Sequence, residues 1–314
     1  MQQTTPTIPS AKTEPKGIAQ MKGRKILIMD TNGEYTVDQF EKNGHPNFPV
    51  KTIGVKDVAA WSRSSLVECR RIDMKALHID DKLKILGYVM QVLRNCTIVL
   101  EDINTITTDI NHMKNIVSSI VNLRHKGVDV IISYQSLRAV EPRILTNSKW
   151  IRLHHSLGDV MDIKGKLDAL DLAKISQLII NTRYRSGDTR FFLYIYNASQ
   201  KVRGDFSAEE FKTAAKQFLA LKPKKVKDFM NMMNVSQDVA YNGMVDELYE
   251  LYYGNDMPPP KDNSREAGML VTAASQGTGK TYQNMNIIAK SINFDPNNPD
   301  PKNKPLTIPS PTKK

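Results

Sequence analysis

The chain has 314 residues, 40% of them apolar and 25% charged, and 44 Lys and Arg against 33 Asp and Glu give it a formal charge of +11. These proportions are ordinary for a globular protein, and the length allows one large α/β domain or two small ones, with a sizeable core. They exclude a membrane-spanning class, since no apolar run is long enough to cross a bilayer, and no signal-peptide pattern opens the chain.

Two cysteines, Cys69 and Cys96, lack metal-ligand spacing and read as small core residues of a reducing, cytoplasmic compartment. The positive charge favours a polyanionic partner, although Lys and Arg are spread so widely that charge alone does not name it.

Residues 1–22, rich in Thr, Pro, Lys and Gln, read as a disordered basic arm, and residues 295–314 as a Pro/Lys-rich disordered tail. Both contain Thr-Ile-Pro-Ser. Between them, residues 23–294 read as a single domain. Lys25 to Asp30 is a buried-strand pattern that ends in an acidic residue and runs into Thr31-Asn32-Gly33-Glu34-Tyr35. Short strands are expected around Val50–Val55 and Glu68–Ile72, and a helix from Ile79 to Leu93.

Thr97 to Leu100 forms the next strand, closed by Glu101 and Asp102. A helix follows over Asp109–His125, then a strand over Val128–Ser133 that ends in Tyr134 and Gln135, then a short strand at Trp150–Leu153. Strands alternating with helices predict an α/β fold, a mostly parallel sheet with helices on both faces. Asp168–Ile175 reads as helical, and Leu178–Tyr184 with Arg190–Tyr196 as a β-hairpin turning at Ser186-Gly187-Asp188. Residues 205–260 form a helical segment of that domain, with helices at Ala208–Ala220, Lys224–Met233 and Val239–Tyr252, before Pro258-Pro259-Pro260.

Last comes a strand pattern over Gly268–Ala273, a Gly-containing loop, and a helical segment with Met285, Ile287, Ile288 and Ile292. Ala274, Ser275, Gln276, Gly277, Thr278, Gly279, Lys280 and Thr281 have the P-loop form with Ala in place of its first Gly. The chemistry needs these residue types. The glycines let backbone N–H groups curl around phosphate oxygens, Lys280 can reach the outer phosphates, the Thr281 hydroxyl can ligate Mg²⁺, and the helix N-terminus adds positive potential. Glu101 and Asp102, at the carboxyl end of a hydrophobic strand, read as the acidic pair that holds Mg²⁺ and polarises a water, with Glu101 assigned to the metal. Gln135, ending the next strand, can sense the terminal phosphate.

These motifs carry a resemblance. Ile26 to Tyr35 resembles the segment that follows the P-loop helix in HerA/FtsK-type ATPases, Ile98 to Asp102 resembles their Walker B strand, and Ile131 to Leu137 with Pro142 and Asn147 is similar to their sensor strand and the loop beyond. Residues 264–294 followed by 24–155 give that family's motif order, so the chain reads as a circular permutation, with a RecA-like core whose P-loop strand comes from the C-terminal segment. The acidic pair departs from the family in being Glu-Asp.

The resemblance implies an ATP-hydrolysing ring, commonly a hexamer, that moves DNA or packages a genome, in a host cytoplasm or a virion. It also implies ATP and Mg²⁺ between subunits and an arginine finger, for which Arg183, Arg185 and Arg190 stand out, with Arg138, Arg143 and Arg152 behind them. Lys222, Lys224, Lys225 and Lys227 offer sequence-independent phosphate contacts to DNA. Two other classes compete: a permuted P-loop GTPase, against which stands the absence of an Asn-Lys-x-Asp segment, and a non-catalytic nucleotide-binding assembly protein.

Overall fold

A computed structural model describes residues 24–103, 110–163, 165, 167, 169–253, 268–274 and 277–292, with only the backbone described over 110–115. The two arms, both Thr-Ile-Pro-Ser copies, Pro258-Pro259-Pro260, Ser275 and Gln276 lie outside the described residues. The described chain forms two compact units, the first made of residues 24–132, 268 and 281–292, the second of 133–253 and 269–280.

The first unit holds β1 (Ile26–Asp30), α1 (Val37–Lys42), β2 (Val50–Thr52), α2 (Val58–Arg63), β3 (Cys69–Asp73), α3 (Ile79–Val92), β4 (Thr97–Leu100), α4 (Ile110–Leu123) and most of β5 (Asp129–Tyr134). Its strand order is β2-β3-β1-β4-β5, every pair parallel, with Ile26 opposite both Cys69 and Thr97, and Thr97 opposite Asp129. Continuous apolar runs suit strands covered on both faces, and Ile26, Leu27, Ile28 and Met29 are completely buried. Parallel pairing in this register puts Asp30, Asp73, Glu101 and Asp102 at one end of the strands, the carboxyl end, where α/β proteins bind ligands. Thr36 caps α1 by accepting from Gln39 N, and Phe40 of that helix stacks on Phe48 at 4.0 Å between ring centroids. Cys69 and Cys96 are buried and free, as expected of core residues, and burial pushes the Cys96 thiol up to about 12.

The second unit holds the end of β5, α5 (Pro142–Asn147), β6 (Trp150–His154), α6 (Leu170–Arg185), β7 (Phe192–Tyr196), β8 (Lys201–Arg203), α7 (Ala208–Ala220), α8 (Pro223–Met233), α9 (Gln237–Tyr252) and β9 (Met269–Ala273). β9 runs parallel to β6, from Trp150↔Leu270 to Leu153↔Ala273, and on its other side Ala274 N donates to the Tyr134 carbonyl at 3.1 Å. β7 and β8 complete the unit as antiparallel neighbours, β6 to β7 to β8. Counting β5 once, the described residues form nine strands, mostly parallel, with helices around them. The expected α/β class, a mostly parallel sheet that takes one strand from the C-terminal segment, is the observed one.

One expectation fails. Leu178–Tyr184 is not a strand of a hairpin; helix α6 runs unbroken from Leu170 to Arg185. Leu172, Ile175 and Ile179 recur at helical spacing on its buried face, so the Leu178-Ile179-Ile180 run that reads as a strand is the continuation of that face. Gly187, at φ +96°, then turns the chain where a side chain would be strained. The true hairpin is β7 with β8. The helices expected at 208–220, 224–233 and 239–252 are present, the first closed by a reciprocal cap in which Glu210 N donates to Ser207 Oγ and Ser207 N to Glu210.

Candidate active site

In the first unit the site begins at Asp30, whose carboxylate is completely buried. It accepts from Gly33 N at 2.8 Å, Glu34 N at 2.9 Å and Tyr35 N at 3.1 Å, and Arg71 Nη1 meets it at 2.8 Å. An acidic residue ending a buried strand thus gathers the N–H groups of the following turn, which Gly33 enters at φ +74°. The turn is fixed, and it presents Glu34 and Tyr35.

Tyr35 donates its hydroxyl to Glu101 Oε2, and Asn284 Nδ2 donates to both, at 3.1 Å to Glu101 Oε2 and 3.2 Å to the tyrosine oxygen. Burial, then the Glu101 charge, holds the Tyr35 phenol well above its usual range, so it remains a donor. Asn284 sits in α10 (Lys280–Ser291), one turn beyond Thr281, whose Oγ1 donates to Glu34 Oε2 at 2.7 Å. Helix α10 is therefore joined to the acidic end of β4 through Asn284 and to the turn after β1 through Thr281. Asp102 is mostly buried, takes φ +44°, rare for a residue with a side chain, and accepts from Asn32 Nδ2 at 3.3 Å.

In the second unit, β9 delivers the loop. Ala274, fully buried and hydrogen-bonded to Tyr134, is not among the residues with positive φ, so a methyl group is tolerated where the P-loop pattern has Gly. Gly277 and Gly279 do need to be glycine, at φ +81° and +83°. Thr278 is buried, and its carbonyl accepts from His154 Nδ1 at 3.1 Å. Lys280 is buried and begins α10.

The other expected residues fall in different places. Gln135 is exposed at the bend after β5. Arg183 forms a two-pronged ion pair with Glu210, 2.7 Å from Nε and 3.0 Å from Nη2, and lies over the Phe191 ring, while Arg185 is exposed at the end of α6. Arg190 is the arginine that rests on the loop: a Cβ at Gly279 would stand 3.3 Å from its Cγ. In the basic cluster, Lys222 and Lys225 pair with Asp171 at 2.8 Å and 3.5 Å, and Lys224 and Lys227 are exposed. Sequence reading left Glu34, Asn284 and His154 without roles. The one available signal was Asn284, a polar residue in line with the apolar positions of its helix.

His154 carries a pH dependence. Its Nδ1–H serves the Thr278 carbonyl, which leaves Nε2 as an acceptor, buried and without a partner among the described residues. Burial, then the Arg152 charge, holds the imidazole well below its ordinary 6.5. A folded-state value below the unfolded one means that the unfolded chain binds the extra proton. Stability is thus full above about pH 6.5 and is lost as pH falls below it, by up to about 1.4 kcal/mol per pH unit. Urea unfolding from pH 5 to 8 is expected to show this slope, and His154→Gln to flatten it by one proton's worth.

No family model and no curated protein matches the chain. Among solved structures, it is similar to three complexes of the genome packaging NTPase B204 from Sulfolobus turreted icosahedral virus 2, with AMP, AMPPCP and ATP-gammaS. Each similarity covers 58% of this chain and 96% of the other. Identities are 10%, 8% and 10%, and TM-scores are 0.34, 0.32 and 0.34.

Proposed function

We propose that the chain binds and hydrolyses ATP at its C-terminal P-loop and uses the turnover to move nucleic acid, as an oligomeric motor of the HerA/FtsK type. The observation that carries this reading is the pair of bridges from α10, Thr281 to Glu34 and Asn284 to Glu101. A P-loop pattern by itself is a loop that can hold phosphates. Here the helix it opens is hydrogen-bonded to the acidic end of β4, which is the combination that hydrolysis requires.

The residues fit a magnesium nucleotide. Gly277, at φ +81°, lets the loop backbone curl, and Thr281 offers a hydroxyl in the first turn of α10. Mg²⁺ takes few ligands from a protein and the rest from phosphate and water, so a hydroxyl beside a carboxylate is a sufficient donor set. The ion, when bound, neutralises charge on the phosphates. In this reading Lys280 and the loop N–H groups bind the phosphates, and Arg190 supplies a cation on the Gly279 side. With magnesium bound, Glu101, held by Tyr35 and Asn284, would help to hold the ion, and Asp102 would accept the proton of the attacking water.

Asp102→Asn is expected to leave nucleotide binding intact and to reduce hydrolysis by about 10²-fold or more, the usual contribution of a positioned general base. Glu101→Gln is expected to weaken magnesium-dependent binding instead. The reverse pattern would exchange the two roles.

Phosphate release measured with and without DNA tests the whole reading. Turnover that DNA raises supports a motor. Nucleotide binding without turnover would make the chain an assembly protein, and a preference for GTP would overturn both.

A further inference from the structure

We infer that Glu34 is the positioning residue for the metal-binding hydroxyl: it accepts the Thr281 hydrogen and so turns that oxygen's lone pairs toward the cation. The inference rests on the magnesium-nucleotide reading above and adds to it a carboxylate from outside the acidic pair.

The chemistry follows from the atoms. A threonine hydroxyl has one hydrogen and two lone pairs, and it rotates freely unless something engages the hydrogen. Engaged at 2.7 Å by Glu34 Oε2, the hydrogen has a fixed direction, and the lone pairs point elsewhere. A carboxylate is the right partner because it accepts only, and its negative charge draws a divalent ion toward the hydroxyl. Glu101 is differently engaged, its Oε2 receiving Tyr35 and Asn284. One turn of chain thus divides the work, Glu34 serving the Thr281 hydroxyl while the adjacent Tyr35 serves Glu101.

Glu34 is also built in rather than passing by. Its own N–H and those of both neighbours end on Asp30, which Arg71 holds from the side at 2.8 Å. A side chain anchored at its backbone loses little further freedom in reaching Thr281. This is the kind of outer partner whose removal costs a metal site about 10–100-fold in affinity.

The test measures binding, not turnover. A fluorescent ATP analogue is titrated against each variant over a magnesium series and again in excess chelator, with Mn²⁺ resonance as a second reading of the ion. Glu34→Ala is expected to raise the magnesium midpoint about tenfold or more while leaving the chelator affinity unchanged, and Glu34→Gln, which keeps an acceptor but loses the charge, to fall between. In a Thr281→Val background, Glu34→Ala is expected to add nothing, because the hydroxyl through which it acts is gone.

An unchanged midpoint overturns the inference. So does an equal fall in affinity in chelator, which a merely structural role would give, or an effect that survives in the valine background. If Glu34→Ala does not fold, the glutamine variant decides on the same readings. Failure of the unaltered protein to bind nucleotide in chelator and in magnesium alike would instead sink the nucleotide reading itself.

Discussion

Lys280→Ala is expected to lower nucleotide affinity about 10³-fold, about 4 kcal/mol, with hydrolysis lost alongside. The size follows from where the lysine sits. Only 9% exposed, it opens α10 immediately after Gly279, whose positive φ sets the direction of the helix entry. A buried ammonium has already given up most of its water in the free protein, so a phosphate that meets it does so without a second desolvation. His154 contributes by remaining neutral, since a second cation beside Lys280 would oppose it. Lys280→Arg keeps the charge but replaces a compact point charge with a planar fork, and is expected to restore only part of the affinity. Titration with the fluorescent analogue measures both, and a urea midpoint close to that of the unaltered protein shows that the loss lies in the site.

Asp30→Ala is expected to destabilise the fold by about 3–5 kcal/mol, in the range for breaking a buried ion pair. Three N–H groups lose their acceptor together, and Arg71 is left with Asp73, 2.8 Å away, as its remaining carboxylate. Each orphaned donor costs its desolvation where water cannot reach it. Asp30→Asn is expected to cost less, because one amide oxygen can still accept while the amide nitrogen faces Arg71. Urea unfolding gives the free energies. The turn that carries Glu34 and Tyr35 depends on the same carboxylate, so a folded Asp30 variant is expected to need more magnesium as well.

What could be read from the sequence was what leaves a local mark. β1, β4 and β5 are continuous apolar runs because strands covered on both faces have no polar side to show, and the acidic residues that follow stand out against them. The Gly277–Gly279 loop leaves a local mark too: both glycines are required by their own φ values. Helix α6 was misread because an apolar triplet of Leu and Ile looks the same on a strand as on a buried helix face, and the residues that settle it lie a turn earlier.

The carboxylate partners were hidden by distance along the chain. Thr281 and Glu34 are 247 positions apart, and Asn284 and Glu101 are 183 apart. Nothing local in Gly-Glu-Tyr says that its glutamate meets a helix written at the other end. Arg183 likewise stands beside an exposed turn, and its partner Glu210 lies far enough along the chain to escape a local reading.

The position of β9 has a consequence for how the protein is made. Its flanking partners, β6 and the end of β5, leave the ribosome more than a hundred residues earlier, since Leu270 pairs with Trp150. Throughout that interval the nascent chain has two unsatisfied strand borders facing a gap, the kind of surface on which another polypeptide can dock. Closing the gap brings together segments far apart along the backbone, which is slow. Synthesis of this protein therefore includes a window of vulnerability that ends only when β9, made long after its neighbours, arrives; in the proposed reading the same strand delivers the loop that holds the phosphates.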